Sequence, residues 1–143
     1  MSQRISHVAV TVPAELLSDS RKAEWLAFYK SVFGWTENGA LGIPGERVVV
    51  QVPSEGDAQY VTVRASAAPM QTSGYEHLGI WVDSESEVKS LHERARRSAD
   101  QDPAVELTDL SVRYGGGLHT FRVRFVLPLT IEVQWAVGSM PTG

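Results

Sequence analysis

His7, His77 and Glu132 are the residues of this chain whose types and placement combine into one chemistry. Each sits in a short run of alternating character. In ISHVAVTV, Val8, Val10 and Val12 fall on one side while His7, Ala9 and Thr11 fall on the other. In YEHLGIWV, Leu78, Ile80 and Val82 oppose His77, Gly79 and Trp81; in TIEVQWA, Ile131, Val133 and Trp135 oppose Glu132 and Gln134. Successive side chains of a strand point to opposite faces, so all three residues lie opposite the aliphatic side of their strands. If the aliphatic sides pack against helices, the three project together into the concavity of the sheets. Two neutral imidazoles and a carboxylate, with coordination positions left over, suit Fe(II), Mn(II), Zn(II) or Ni(II). Buried polar groups of this kind are costly unless a metal or a hydrogen-bond network satisfies them.

The elements that must position these residues occur twice. After the first strand, Trp25, Phe28, Tyr29, Val32 and Phe33 follow helical spacing from Ala23 onward, and Gly34 suits the residue just past a helix end. Strands are predicted at Trp35 to Glu37, Arg47 to Val52 and Tyr60 to Ala65, the last two joined by the polar loop PSEGDAQ. SAAPMQTSG reads as a linker, and the order then restarts. Ser84 and Glu87 form a capping box ahead of a helix with an apolar stripe of Val88, Leu91 and Ala95. Arg94, Arg96 and Arg97 suit its C-terminal end, and His92 reads as solvated. Strands follow at Glu106 to Tyr114, Leu118 to Val126 and Thr130 to Ala136. One constant offset carries His7 onto His77 and, in the last strand of each half, Thr62 onto Glu132. Such a repeat predicts βαβββ twice. The expected organisation is one α+β domain over 1–143, with module one at 5–66, a linker at 67–74 and module two at 75–137.

Composition bounds what the domain does. A hydrophobic share of 43%, a charged share of 21% and a formal charge of −4 describe an ordinary folded domain. No dense basic run exists to track phosphates, which argues against nucleic acid. There is no cysteine, so thiolate nucleophiles and cysteine zinc sites are excluded, and a reducing cytoplasm is expected. The N-terminal apolar run is too short for a signal peptide or a membrane span.

Strand ISHVAVTV, helix segment AFYKSVFGW, strand YEHLGIWV and terminal strand TIEVQW together resemble the vicinal oxygen chelate superfamily, which includes glyoxalase I, bleomycin-resistance proteins and extradiol dioxygenases. The resemblance covers Ile5 to Val137. It implies paired βαβββ modules forming a cup-shaped mixed sheet with helices outside, a divalent metal inside, and His7, His77 and Glu132 as its ligands. It also implies a homodimer, in some members with cups completed across subunits. Two departures stand out. Many members have a Glu or Gln ligand where this chain has Thr62, and threonine is a poor general base. A D-P-x-G turn common before the last strand is replaced by VLPLT. The remaining set of two histidines and one carboxylate suits oxygen-activating iron and disfavours glyoxalase I-type isomerisation.

Further polar residues are candidates for substrate contact. Arg64 shares a face with Thr62, and Gln134 shares one with Glu132; Arg122 and Arg124 alternate with Phe121, Val123 and Phe125. These arginines either bind a carboxylate or enolate or face solvent. His119 is an acid/base candidate or a loop residue, and Tyr75 and Tyr114 either donate a hydrogen bond near the metal or, as is expected first, pack in the core. Two functions follow. One is a metal-dependent dioxygenase- or lyase-like enzyme acting on a small substrate with vicinal oxygens. The other is a metal-free binding or resistance protein holding an aromatic or cationic ligand against Trp81, Trp135 and Tyr60.

Overall fold

A computed structural model of the chain describes Met1 and residues 3–138. It is a mixed α+β structure with two sheets, of four and five strands, and two α-helices. The chain divides into two compact units between Gln71 and Thr72, inside the 67–74 stretch. No helix among the described residues is long and apolar enough to cross a membrane.

The first unit runs β1 (His7–Val12), a 3-10 turn (Ala14–Leu17), α1 (Asp19–Phe33), β2 (Thr36–Glu37), β3 (Arg47–Val52) and β4 (Gln59–Ala65). Its sheet order is β1-β4-β3-β2, with β1 and β4 parallel and the others antiparallel. β-Branched residues dominate these strands, as half-buried pleated surfaces favour. Val10, Val12, Val48, Val50, Val61 and Val63 are buried, as are Trp25, Phe28, Tyr29, Val32 and Phe33 of α1. Gly34 closes the helix in the left-handed region at φ 72°, donating its N–H to Lys30 O at 2.9 Å. The helix begins at Asp19, four residues before the periodic stretch that predicts it. Its first turn, DSRK, has no apolar stripe, so only backbone hydrogen bonding, starting with Lys22 N–H to Ser18 O at 2.8 Å, marks it.

The second unit runs β5 (His77–Trp81), α2 (Glu85–Gln101), β6 (Glu106–Leu107), β7 (Ser111–Arg113), β8 (Leu118–Arg124) and β9 (Thr130–Ala136). Its sheet order is β5-β9-β8-β6, with β7 also on β8. The single strand expected over Glu106 to Tyr114 is broken into β6 and β7. Thr108 is the cause: its N–H donates to Arg122 O at 3.0 Å, and its hydroxyl accepts from Arg122 N–H at 2.8 Å. A side-chain oxygen there takes the place of a main-chain carbonyl and interrupts the ladder.

The capping box is present at α2. Ser84 Oγ accepts from Glu87 N–H at 3.1 Å, and the Glu87 carboxylate accepts from Asp83 N–H at 3.0 Å. Ser84→Ala is expected to lower stability by about 1 kcal/mol in chemical denaturation, with the sheet unaffected. Two expectations for α2 need correction. The helix continues to Gln101, so Arg96 and Arg97 do not complete its last turn. They pair instead with Glu93 and Asp100, and the hydrogen bond from Arg96 holds Glu93 down at about 2. His92 faces the sheet: its Nε2 donates to Thr108 O at 3.0 Å and its ring meets Phe121 edge-on at 4.9 Å.

The duplication extends to strand pairing. β1 and β4 pair in parallel with His7 opposite Tyr60 and Ala9 opposite Thr62. β5 and β9 pair in parallel with His77 opposite Thr130 and Gly79 opposite Glu132. The register between partner strands is the same in both units, as the constant sequence offset requires.

Candidate metal centre

The second unit's polar sheet face is built by the registers of β5, β9 and β8. Gly79 lies opposite Glu132, Trp81 opposite Gln134, Arg122 opposite Glu132 and Thr120 opposite Gln134. His77, Glu132, Gln134, Trp81, Arg122 and Thr120 therefore share one face, while Phe121, Val123, Ile131 and Val133 occupy the other.

The centre of this face is a close pair. His77 Nε2 stands 2.9 Å from Glu132 Oε2. The other ring nitrogen, Nδ1, lies 2.6 Å from the Tyr75 carbonyl oxygen, to which it must donate because a carbonyl has no proton to give. In the neutral ring Nε2 is then a lone pair aimed at a carboxylate oxygen. Two electron-rich atoms at this distance need a cation, either the imidazolium proton or a metal ion that replaces it. Tyr75, expected in the core, is instead 74% exposed and acts through its backbone carbonyl. Tyr114 is 80% exposed as well.

Glu132 is only 7% exposed, so its charge has to be compensated locally. Its Oε1 accepts a hydrogen bond from Thr120 Oγ1 at 3.0 Å, and Arg122 Nε stands 3.7 Å from the same oxygen. The Arg122 guanidinium also lies over the Tyr75 ring, 5.6 Å from its centroid, and Tyr75 meets His77 edge-on at 5.7 Å. Beside the pair, Gly79 leaves space: a Cβ there would meet only the Gln134 amide oxygen, at 3.6 Å. Trp81, 58% exposed, stands two residues further along β5.

His77 and Glu132 bring two donors of the types that divalent ions take. Protein N and O donors sit about 2.1 Å from such ions, and neighbouring donors of an octahedral shell are then about 3.0 Å apart. The observed 2.9 Å is compatible with that separation and is equally the length of a charge-assisted hydrogen bond. Nδ1 bonded to a carbonyl is also the usual way a ligating histidine is fixed in the tautomer that leaves Nε2 free. Among the described residues, no group of three or more His, Asp or Glu side chains gathers to hold an ion.

The other expected residues are placed as follows. In the first unit, His7 stacks on Tyr60 with ring centroids 4.8 Å apart and planes 1° from parallel, and its Nδ1 lies 2.8 Å from Ser6 Oγ. Thr62 and Arg64 share the face of His7 by the β1–β4 register. His119 and Trp135 lie on the opposite face of the second unit's sheet from Glu132, in edge contact at 4.9 Å. Trp135 thus shares no face with Trp81. Thr120 was not anticipated. The signal for it exists in HTFRVR, where alternation puts Thr120 on the side of Arg122 and Arg124.

No family profile matches the chain, and no curated protein matches it by sequence. Solved structures do match. A Glu-to-Gln mutant of the fosfomycin-resistance protein FosX from Listeria monocytogenes, complexed with Mn(II) and 1S,2S-dihydroxypropylphosphonic acid, is 17% identical with a TM-score of 0.65, covering 98% of this chain and 94% of that one. Lactoylglutathione lyase from Agrobacterium tumefaciens is 19% identical with a TM-score of 0.62, covering 94% of each chain. A virulence protein from Salmonella typhimurium is 14% identical with a TM-score of 0.58, covering 96% of this chain and 99% of that one. At such identities the likeness is one of fold, and the fold is the glyoxalase-like one.

Proposed function

We propose that the protein is a divalent-metal-dependent enzyme of the vicinal oxygen chelate type, dioxygenase- or lyase-like, acting on a small substrate with adjacent oxygens such as a catechol or an α-keto or hydroxy acid. The observation that carries this reading is the His77–Glu132 pair, with Nδ1 tied to a carbonyl and Nε2 turned to a carboxylate oxygen at 2.9 Å. His77 and Glu132 are the proposed metal ligands in the second unit. His7 is the corresponding proposed ligand residue of the first unit, supported by its equivalent place in the sequence repeat. The ion, one of Fe, Mn, Zn or Ni, supplies Lewis-acid stabilisation of negative charge on a chelated oxygen.

The chain's own residues prepare that role. The Tyr75 carbonyl fixes the His77 tautomer and Thr120 holds one oxygen of Glu132. Gly79 leaves room beside the pair, Gln134 offers an amide to a substrate hydroxyl or carbonyl, and Trp81 offers an exposed ring to stack on. Arg122, not within hydrogen-bond reach of Glu132, has N–H groups to offer a substrate carboxylate or enolate. Arg64 and Tyr60 are the corresponding candidates of the first unit. The test is turnover of catechols and of α-keto and hydroxy acids by protein loaded in turn with Fe(II), Mn(II), Ni(II) and Zn(II). Turnover that stops on chelation supports the reading; no turnover on any substrate class contradicts it.

Thr62 stands where a second carboxylate would serve proton transfer. The metal-loaded protein is therefore expected to show no appreciable isomerisation of a hemithioacetal with any of the four ions. Robust turnover in that assay would show that another residue is the base.

Exposed Trp81 beside Gln134 favours one other reading, a metal-free binding protein that stacks an aromatic or cationic ligand on the indole. Quenching of tryptophan fluorescence by such ligands in the presence of chelator, lost in Trp81→Ala, distinguishes it. A homodimer in the cytoplasm is part of the proposal, checked by sedimentation and by fractionation.

A further inference from the structure

We infer that Thr120 is a positioning residue that sets the Glu132 carboxylate for metal binding, an inference that rests on the metal reading above. Thr120 is 2% exposed, and its hydroxyl donates to Glu132 Oε1 at 3.0 Å. A carboxylate has two equivalent oxygens and rotates between presenting one, the other or both to a cation. Here the two are made different. Oε1 is held from β8 by the Thr120 hydroxyl, and Oε2 is left facing His77 Nε2. Arg122, at 3.7 Å from Oε1, adds charge from beyond hydrogen-bond reach. Thr120 is therefore the donor that fixes which oxygen meets the ion.

The position is itself held in place. Thr120 pairs with Gln134 across the β8–β9 ladder, and Ser111 Oγ donates to the Thr120 carbonyl at 3.3 Å from β7. The first unit has no such device. Arg64 is the repeat partner of Gln134, and the residue opposite Arg64 is Arg47, whose Nε donates to the Leu41 carbonyl at 3.0 Å. Val49, opposite Thr62, likewise stands where Arg122 stands opposite Glu132. The duplication therefore does not explain Thr120, whereas a carboxylate that must present one oxygen does.

The experiment compares Mn(II) affinity in wild type, Thr120→Val and Thr120→Ser, each purified with chelator and then freed of it. Valine keeps the volume and removes the donor; serine keeps the donor. The expected result is a loss of about 10–100-fold in affinity for valine, the range seen when a group that orients a metal ligand is removed. Serine returns affinity to the wild-type range. Melting of the chelated proteins establishes that all are folded, and Thr120→Ala replaces valine in the comparison if the valine protein is not. Valine binding as tightly as wild type overturns the inference, and so does serine binding as weakly as valine, since the loss is then one of packing. A wild type that binds no Mn(II) overturns the metal reading, and this inference with it.

Discussion

His77→Ala and Glu132→Ala are each expected to abolish tight binding of a divalent ion, while the chelated proteins keep their secondary structure. The expectation follows from the geometry. Nε2 and Oε2 are 2.9 Å apart and form a two-donor set, so removing either leaves the second unit with one. Water does not readily restore a lost protein donor. His77→Gln is informative beside alanine because it keeps polarity and loses the fixed imidazole; it too should bind weakly. Acidification should release the ion from wild type, because imidazole must be neutral to coordinate and the proton competes for the same nitrogen. Isothermal titration with Mn(II) and Zn(II) at several pH values measures both effects. Alanine variants that bind as tightly as wild type would place the ion elsewhere.

The second large effect is one of stability and belongs to the first unit. Trp25 is 0% exposed, its indole N–H donates to the Leu16 carbonyl at 2.9 Å, and its ring meets Tyr29 edge-on at 6.4 Å. Trp25→Ala opens a cavity and strands the Leu16 carbonyl, so a loss of about 3–5 kcal/mol is expected. Against a typical total of about 5–15 kcal/mol this is a large share. Trp25→Phe keeps most of the volume and loses the hydrogen bond, so it should fall between the two. Urea denaturation followed by far-UV circular dichroism measures the series. A tolerated Trp25→Ala would mean that the helix is not anchored through this residue.

Much of the fold was legible because its signals are local or repeated. Alternation in ISHVAVTV, RVVVQV, YEHLGIWV and TIEVQWA gives strand faces directly, and the constant offset between halves is mirrored in the matching β1–β4 and β5–β9 registers. The features that escaped depend on neighbours remote in sequence. The break at Thr108 exists because its hydroxyl meets the Arg122 N–H. His92 turns to the sheet because the Thr108 carbonyl and Phe121 are there to receive it. Nothing in the sequence of α2 alone contains either partner.

The site divides in the same way. The common face of His77 and Glu132 was legible from alternation and repeat, and the two side chains meet at 2.9 Å. Thr120 was not, because placing it opposite Gln134 requires the register of the β8–β9 hairpin. That hairpin turns between Arg124 and Thr130, whereas its counterpart in the first unit turns between Val52 and Gln59, so the repeat does not transfer the register. His119 and Trp135 show alternation at work in the opposite sense, since their odd-numbered places put them on the face away from Glu132.

The His77–Glu132 pair is proposed to hold a cation other than a proton. The most direct measurement is titration of the metal-free wild type with Mn(II) at neutral pH, reading the free-ion electron paramagnetic resonance signal and the protons released. Saturable uptake of one ion per site with release of protons is expected, and neither on His77→Ala. A wild type that takes up no Mn(II), and none of Fe(II), Ni(II) or Zn(II) in parallel titrations, contradicts it and leaves the pair as a salt bridge beside a binding surface.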